Sequence, residues 1–257
     1  MIAINNNAAD SKKQNNSDFQ EMASKLQITN NELLAFNYTI SHEIKAPVRA
    51  IDGYARIFLE DYGHMVEDSG LELIRNIRTI CADTLALVNK LLEYTKLDEI
   101  EPIKEPVNLK EILDSVFNEL AGSNGVNNQV ELRYESNLPM VLTDRFLIKQ
   151  IFTNIVSNSL KFTRGKTGII TAGFRYENDE PVFYIKDNGV GFDMKFSEKL
   201  FGMFQRMHSV DDFEGSGLGL ALVKKMIESL GGKVWITGEV GKGACTYFTV
   251  AKEDILN

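Results

Sequence analysis

The sequence predicts an α+β chain of more than one domain: an antiparallel helical hairpin suited to pairing with a second copy as a four-helix bundle, followed by a mixed α/β domain. Three observations carry this. Apolar residues recur every three or four positions through much of the first hundred residues, the period of amphipathic helices. The stretch 98–107 (DEIEPIKEPV) then interposes two prolines and a run of charges, the composition of a boundary. Beyond it, segments alternating at period two are interleaved with segments of helical period. At 257 residues the chain has room for two modest domains, and its 44% hydrophobic and 25% charged fractions are globular values.

Taken in order, residues 1–18 are rich in Asn, Ser, Lys and Ala and cannot bury a core, so they read as a disordered tail. A helix is expected from about Asp18, with Phe19, Met22, Leu26, Leu33, Phe36 and Ile40 as a rough heptad seam. That short coiled-coil lead-in implies a dimer; a solvent-facing helix in a monomer is the alternative. The seam runs into FNYTISHEIKAPVRAI, 36–51, whose apolar face is Phe36, Ile40, Ile44, Val48, Ile51, Ala55 and Phe58. His42 falls off that face, with Tyr38, Lys45, Arg49, Asp52 and Arg56, and next to Glu43. Pro47 removes a backbone donor and predicts a kink just past the histidine. The helix should end near Tyr62–Gly63, with 63–70 as the turn. A second helix follows on Leu71, Ile74, Ile77, Cys81, Leu85, Val88, Leu91, Leu92 and Leu97. Lead-in and hairpin thus occupy 19–100, a linker 101–107 and the α/β domain 108–257. Within the last, helices are expected over Leu109–Leu120, from Asp144 onward and over Leu218–Leu230. Strands are expected over Val130–Tyr134, Gly168–Tyr176, Pro181–Lys186, KVWITGEV and ACTYFTVA, with Glu177–Asp179 joining the middle pair.

The net charge of −8 argues against a nucleic-acid footprint, which needs clustered Lys and Arg. There is no apolar run long enough to span a membrane and no basic-plus-apolar leader, so a cytoplasmic chain is expected. Cys81 and Cys245 lie far apart without metal-ligand spacing and read as two buried thiols in a reducing compartment.

Chemistry concentrates in five places. An exposed neutral imidazole such as His42 is a good nucleophile, and the carboxylate of Glu43 can take its ring proton, although a lone surface histidine ordinarily does nothing. Asn154 and Asn158, spaced i, i+4, share a helix face with Lys161 one turn on. Amide oxygens suit Mg²⁺ and lysine suits phosphate; a merely solvated polar face has the same spacing. DNGVGF, 187–192, puts Asp187 at a strand end with Gly189 and Gly191 behind it, where a carboxylate can accept from an exocyclic amine; it also fits a plain turn. GSGLGLALV, 215–223, places Gly215, Gly217 and Gly219 before a helix, an anion nest without the spacing of a P-loop. LFGMFQRMH, 200–208, lies between the glycine motifs; Arg206 there could reach a phosphate, and Phe201 and Phe204 could pack down as an anchor. His64 and His208 are given no role.

Order and spacing of these motifs together resemble the sensor histidine kinases of two-component signalling, over about residues 19–251. SHEIKAPVRAI resembles the phosphoacceptor box, NIVSNSLKFT the asparagine box, DNGVGF and GSGLGLALV the glycine boxes and LFGMFQRMH the phenylalanine box; GGKVWITGEVGKGACTYF is similar to the family's usual ending. The resemblance implies a dimeric hairpin bundle and a sandwich of the Bergerat (GHKL) type, a mixed sheet with helices on one face. It implies ATP and Mg²⁺, with His42 accepting the γ-phosphoryl group, Glu43 as general base and Arg206 neutralising developing charge. Asn158 would hold Mg²⁺, supported by Asn154, with Lys161 near the phosphates. Asp187 would accept from the adenine amine beside Gly189 and Gly191. Gly215, Gly217 and Gly219 would hinge a lid, and Thr246 would close the adenine pocket. The implied partners are a second copy of the chain and a response regulator, which would take the phosphoryl group on an aspartate after docking near Ile51, Tyr54 and Phe58. Two alternatives stay open: a phosphotransfer or scaffold module without kinase activity, and a GHKL-type ATPase clamp.

Two departures stand out. Four positions after the histidine, where the family often has Thr or Asn, stands Ala46, which cannot orient a water; weak phosphatase activity is expected. No sensor input domain precedes residue 19, so the signal is expected from another chain or from a longer parent, which leaves room for a membrane-attached sensor.

Overall fold

The computed structural model describes residues 39–97, 101–123, 130–205 and 215–256. The predicted tail, the seam up to Phe36, and Arg206 lie outside the described residues. The chain divides into two compact units, Met1–Thr95 and Lys96–Asn257.

In the first unit, helix α1 runs over 39–57 and passes into a π-helical turn, Phe58–Tyr62, and a short 3₁₀ turn, Gly63–Met65. Helix α2, Asp68–Lys96, returns. Helical structure continues through Pro47, and a departure from α geometry comes at Phe58, where the i→i−4 ladder widens by one residue. The turn is also shorter than expected, because α2 already includes Gly70. Asp52 on α1 accepts from Arg78 Nε on α2 at 2.9 Å, one tie between the two helices. Ala55, Cys81, Val88 and Leu92 are buried, yet Ile44, Ile51, Tyr54, Ile57, Leu73 and Ile80 on the same hairpin stand exposed. A single hairpin has too little surface to cover both of its apolar faces.

The second unit is a mixed sheet under a layer of helices. Its elements are β1 (Glu105–Asn108), α3 (Leu109–Ser123), β2 (Val130–Tyr134), β3 (Met140–Thr143), α4 (Arg145–Phe162), β4 (Gly168–Glu177), β5 (Glu180–Asp187), a 3₁₀ stretch (Met194–Phe201), α5 (Gly219–Ser229), β6 (Val234–Glu239), β7 (Gly243–Thr249) and β8 (Ile255–Leu256). Five strands form one sheet in the order β2-β4-β5-β7-β6. The β2–β4 pair is parallel and the rest antiparallel. The β4–β5 hairpin turns on Asn178 and Asp179, at φ 49° and 70°. Two successive left-handed residues give the turn whose twist matches the flanking strands.

The segment read as a linker is corrected in its second half. Glu105–Asn108 is a strand, paired antiparallel with β3, which in turn pairs with β8 in a separate three-stranded sheet. None of these strands was foreseen: four residues or fewer, with Pro106 inside β1, give no readable alternation.

The core lies between the helices and the five-stranded sheet. Alternation places Phe183, Ile185, Thr246 and Phe248 on the covered face, where Phe183 stacks on Phe248 at 5.2 Å and Phe152 of α4 meets Phe248 edge-on at 6.2 Å. Ile148, Ile151, Phe152, Ile155 and Val156 of α4 are buried, as are Leu222, Val223 and Met226 of α5. With its core stripe spent on the sheet, α4 turns its remaining side toward the start of α5, and the site lies there.

Candidate functional site

Asp144 ends β3 and caps α4, its Oδ1 accepting from Leu147 N at 3.0 Å. From that cap α4 carries Asn154, Asn158, Ser159 and Lys161. Asn154 donates its amide to the Gln150 carbonyl at 2.9 Å, which leaves its Oδ1 facing the first residue of α5. A β-carbon on Gly219 would stand 3.2 Å from that oxygen and 3.8 Å from Asn158 Nδ2. One on Gly215 would stand 3.1 Å from Lys161 Nζ. Two asparagine amides and an ammonium therefore line the approach to α5, whose Leu218 N-cap makes no side-chain cap bond. The first-turn N–H groups of such a helix favour an anion.

The other end of the site is Asp187, where β5 stops. Its carboxyl is buried, with Oδ1 accepting from Gly189 N at 2.8 Å and Ala244 N at 3.3 Å, and Oδ2 from the Ser159 hydroxyl at 3.2 Å. Burial pushes its pKa above the ordinary carboxylate value, and the donors from Gly189, Ala244 and Ser159, with the Lys166 charge, pull against that. Oδ1 is saturated, whereas Oδ2 has one donor and capacity for another. Thr246 shares the face of Asp187: Asp187 lies opposite Ala244, and Thr246 lies two positions along β7, opposite Ile185.

The loop after Asp187 is pinned on all sides. Asn188 accepts from Ile169 N and donates to the Thr167 carbonyl; Val190 N reaches the Phe162 carbonyl, and Lys166 Nζ the Gly189 carbonyl. This assigns the glycines a reason other than the expected approach of a flat ligand. A β-carbon on Gly191, at φ 64°, would fall 1.9 Å from the Glu239 carbonyl oxygen, and one on Gly189 2.8 Å from that of Phe162. Both are required by protein packed against protein. Gly217, at φ 71°, lies likewise against the backbone of Phe204 and Gln205. Phe204 does not pack down as an anchor; it is exposed, at φ 60°.

α4 thus joins both ends of the site, bringing Asn154, Asn158 and Lys161 to Gly215 and Gly219, and Ser159 to Asp187. His42 and Glu43 are both exposed on α1, in the other unit. Ser159 and the Ala244 N–H were missed from the sequence. A buried serine one residue past Asn158, on the stripe facing the sheet, was the available signal; the Ala244 amide had none.

The comparisons with known proteins agree with this division. Residues 32–100 match the family model described as His Kinase A (phospho-acceptor) domain, and residues 143–254 the one described as Histidine kinase-, DNA gyrase B-, and HSP90-like ATPase. The chain belongs to the sensor histidine kinases. It is 33% identical over 228 residues to cyanobacterial phytochrome B of Nostoc, covering 88% of this chain and 30% of that protein. It is 30% identical over 234 residues to the methanogenesis regulatory histidine kinase FilI of Methanothrix harundinacea, covering 91% and 26%. The kinase chain therefore spans about a third or less of the length of these relatives. Among solved structures, full-length ShkA in complex with AMPPNP superposes with a TM-score of 0.64 at 26% identity, over 83% of this chain and 45% of that one. No helix among the kinase's described residues is long and apolar enough to cross a membrane.

Proposed function

We propose that this chain is an ATP-dependent protein-histidine kinase, which phosphorylates His42 and passes the phosphoryl group to an aspartate of a response regulator. The observation that carries the reading is one helix serving two recognition tasks. Through Ser159, α4 holds the buried carboxylate of Asp187, whose Oδ2 keeps acceptor capacity; through Asn154, Asn158 and Lys161 it faces the glycines that open α5. A carboxylate at one end and amides, ammonium and helix N–H groups at the other match an adenine amine and a triphosphate.

The roles divide accordingly. Asp187 binds the adenine exocyclic amine, with Gly189, Gly191 and Thr246 shaping the wall around it. Lys161 and the N–H groups at Gly215, Gly217 and Gly219 orient the phosphates. Asn158 would hold Mg²⁺, with Asn154 beside it. The donor set fits that ion, which takes few protein ligands and keeps waters and substrate oxygens; no cluster of three acidic, His or Cys ligands occurs among the described residues. Bound there, Mg²⁺ supplies charge neutralisation on the phosphates. Glu43 takes the imidazole proton as His42 attacks the γ-phosphorus, the phosphorus–nitrogen bond forming as the bond to the ADP oxygen breaks, and Arg206 neutralises charge on the transferring group. The exposed apolar side of the hairpin supports a homodimer, and exposed Ile51 and Tyr54 with half-buried Phe58 support regulator docking.

The test is incubation with radiolabelled ATP and Mg²⁺, wild type beside His42→Gln. The expected result is acid-labile, base-stable label on wild type only. Label in both proteins overturns His42 as the acceptor, and ATP hydrolysis that survives His42→Gln without phosphoprotein overturns the reading in favour of an ATPase clamp.

A further inference from the structure

Ile103 and Lys104, just before β1, are seated by two carboxylates. Ile103 N donates to Asp144 Oδ2 at 2.9 Å, and Lys104 Nζ holds both oxygens of Asp254 at 2.8 and 2.7 Å. Asp254 is buried, in the 3₁₀ turn Lys252–Asp254 before β8. The Ile103 side chain is 77% exposed, so packing does not hold it; its backbone N–H and the neighbouring ammonium do. Asp144 has a second duty, since its other oxygen caps α4 through Leu147 N. One buried carboxylate therefore joins the segment arriving from the helical unit to the first turn of the helix that carries Asn154, Asn158, Ser159 and Lys161. Beside it, Thr143 Oγ1 is buried without a hydrogen-bond partner among the described residues. An unpaired buried hydroxyl is costly.

We propose that Asp144 is a positioning residue that couples the seat of Ile103 and Lys104 to the nucleotide site: unseating the segment weakens nucleotide binding, and bound nucleotide tightens the seat. This rests on the reading of α4 as the nucleotide helix. Thermodynamic linkage makes the two effects reciprocal. Segment 103–105 thereby has a path to the site through Asp144 and the first turn of α4.

The experiment uses the full chain and Mg²⁺-ADP. Ile103→Pro deletes the linker donor and leaves the Leu147 cap intact. Asp144→Asn is as good a cap but offers one oxygen to two donors. Lys104→Met with Asp254→Asn removes the ion pair without stranding a buried charge, and serves should the proline variant fail to fold. ADP affinity is expected to fall about fivefold to tenfold in each. In wild type, ADP should slow amide hydrogen exchange across 103–108, and Asp144→Asn should abolish that slowing, a readout that a purely structural cap would not move. If wild type binds ADP but all variants bind within twofold of it, and exchange at 103–108 ignores ADP, the coupling is wrong and the nucleotide reading stands. Wild type that binds no ADP overturns both.

Discussion

On the proposed role of Asp187 as the group that accepts from the adenine amine, replacing it by Asn separates recognition from stability. The Asn Oδ1 can keep the two N–H donors from Gly189 and Ala244, and its amide can donate to Ser159, whose hydroxyl accepts as readily as it donates. What is lost is the acceptor at Oδ2, a hydrogen bond to a charged group of about 1.5–3 kcal/mol, and a donor now faces the adenine amine at a further cost of about 1–3 kcal/mol. Together these come to about 2.5–6 kcal/mol, on the order of 10²–10⁴-fold in affinity at about 1.4 kcal/mol per decade. Folding should not suffer. Burial raises the folded pKa of Asp187, so the folded chain binds a proton more readily than the unfolded one, and the ionised carboxylate disfavours folding at neutral pH. Titration calorimetry with ATP beside thermal unfolding checks both halves: affinity should collapse while Tm holds or rises. Binding within fivefold of wild type would refute the assignment of Oδ2 as the base-recognising atom. A large fall in Tm would refute the account of the carboxylate as a group held for function.

Further outcomes follow from the same geometry. On the proposed role of Asp187, ATP recognition needs it ionised, so affinity should be full above its raised folded pKa and lost as pH falls through it; Ser159→Ala removes a donor that lowers that pKa and should move the affinity midpoint to higher pH, read by binding titrations across pH. Gly191→Ala drives a β-carbon into the Glu239 carbonyl at positive φ and should cost about 3 kcal/mol or more, seen as a lower denaturant midpoint with an unchanged slope. Asp52→Ala, which breaks the half-exposed pair with Arg78, should shift stability by at most about 1 kcal/mol. With Ala46 on the exposed surface of α1, dephosphorylation of the regulator should be slow and Ala46→Thr should raise its rate; a fast wild type that Ala46→Thr leaves unchanged would refute the role given to that position.

What the chain carries locally was legible. The long helices announce themselves by apolar residues every three or four positions, and β2, β4 and β5 by alternation, because those periods decide which side chains share a face whatever the partner. Asn154, Asn158 and Lys161 could be placed on one helical face for the same reason. Glycine positions were also legible, but not their purpose: Gly191 lies against Glu239 in the folded chain, and nothing in DNGVGF says so. The three-stranded sheet, the Ala244 donor to Asp187 and the Lys104–Asp254 pair were beyond sequence reading, because they join residues 57 and 150 positions apart in the last two cases. Four-residue strands such as β1 and β3 owe their existence to each other's backbone groups and have too few side chains to leave a period. Local pattern thus decides which elements form and which residues they present. Only the packed structure decides which carboxylate oxygen is saturated and which keeps room for a ligand, since that depends on donors brought in from distant parts of the chain.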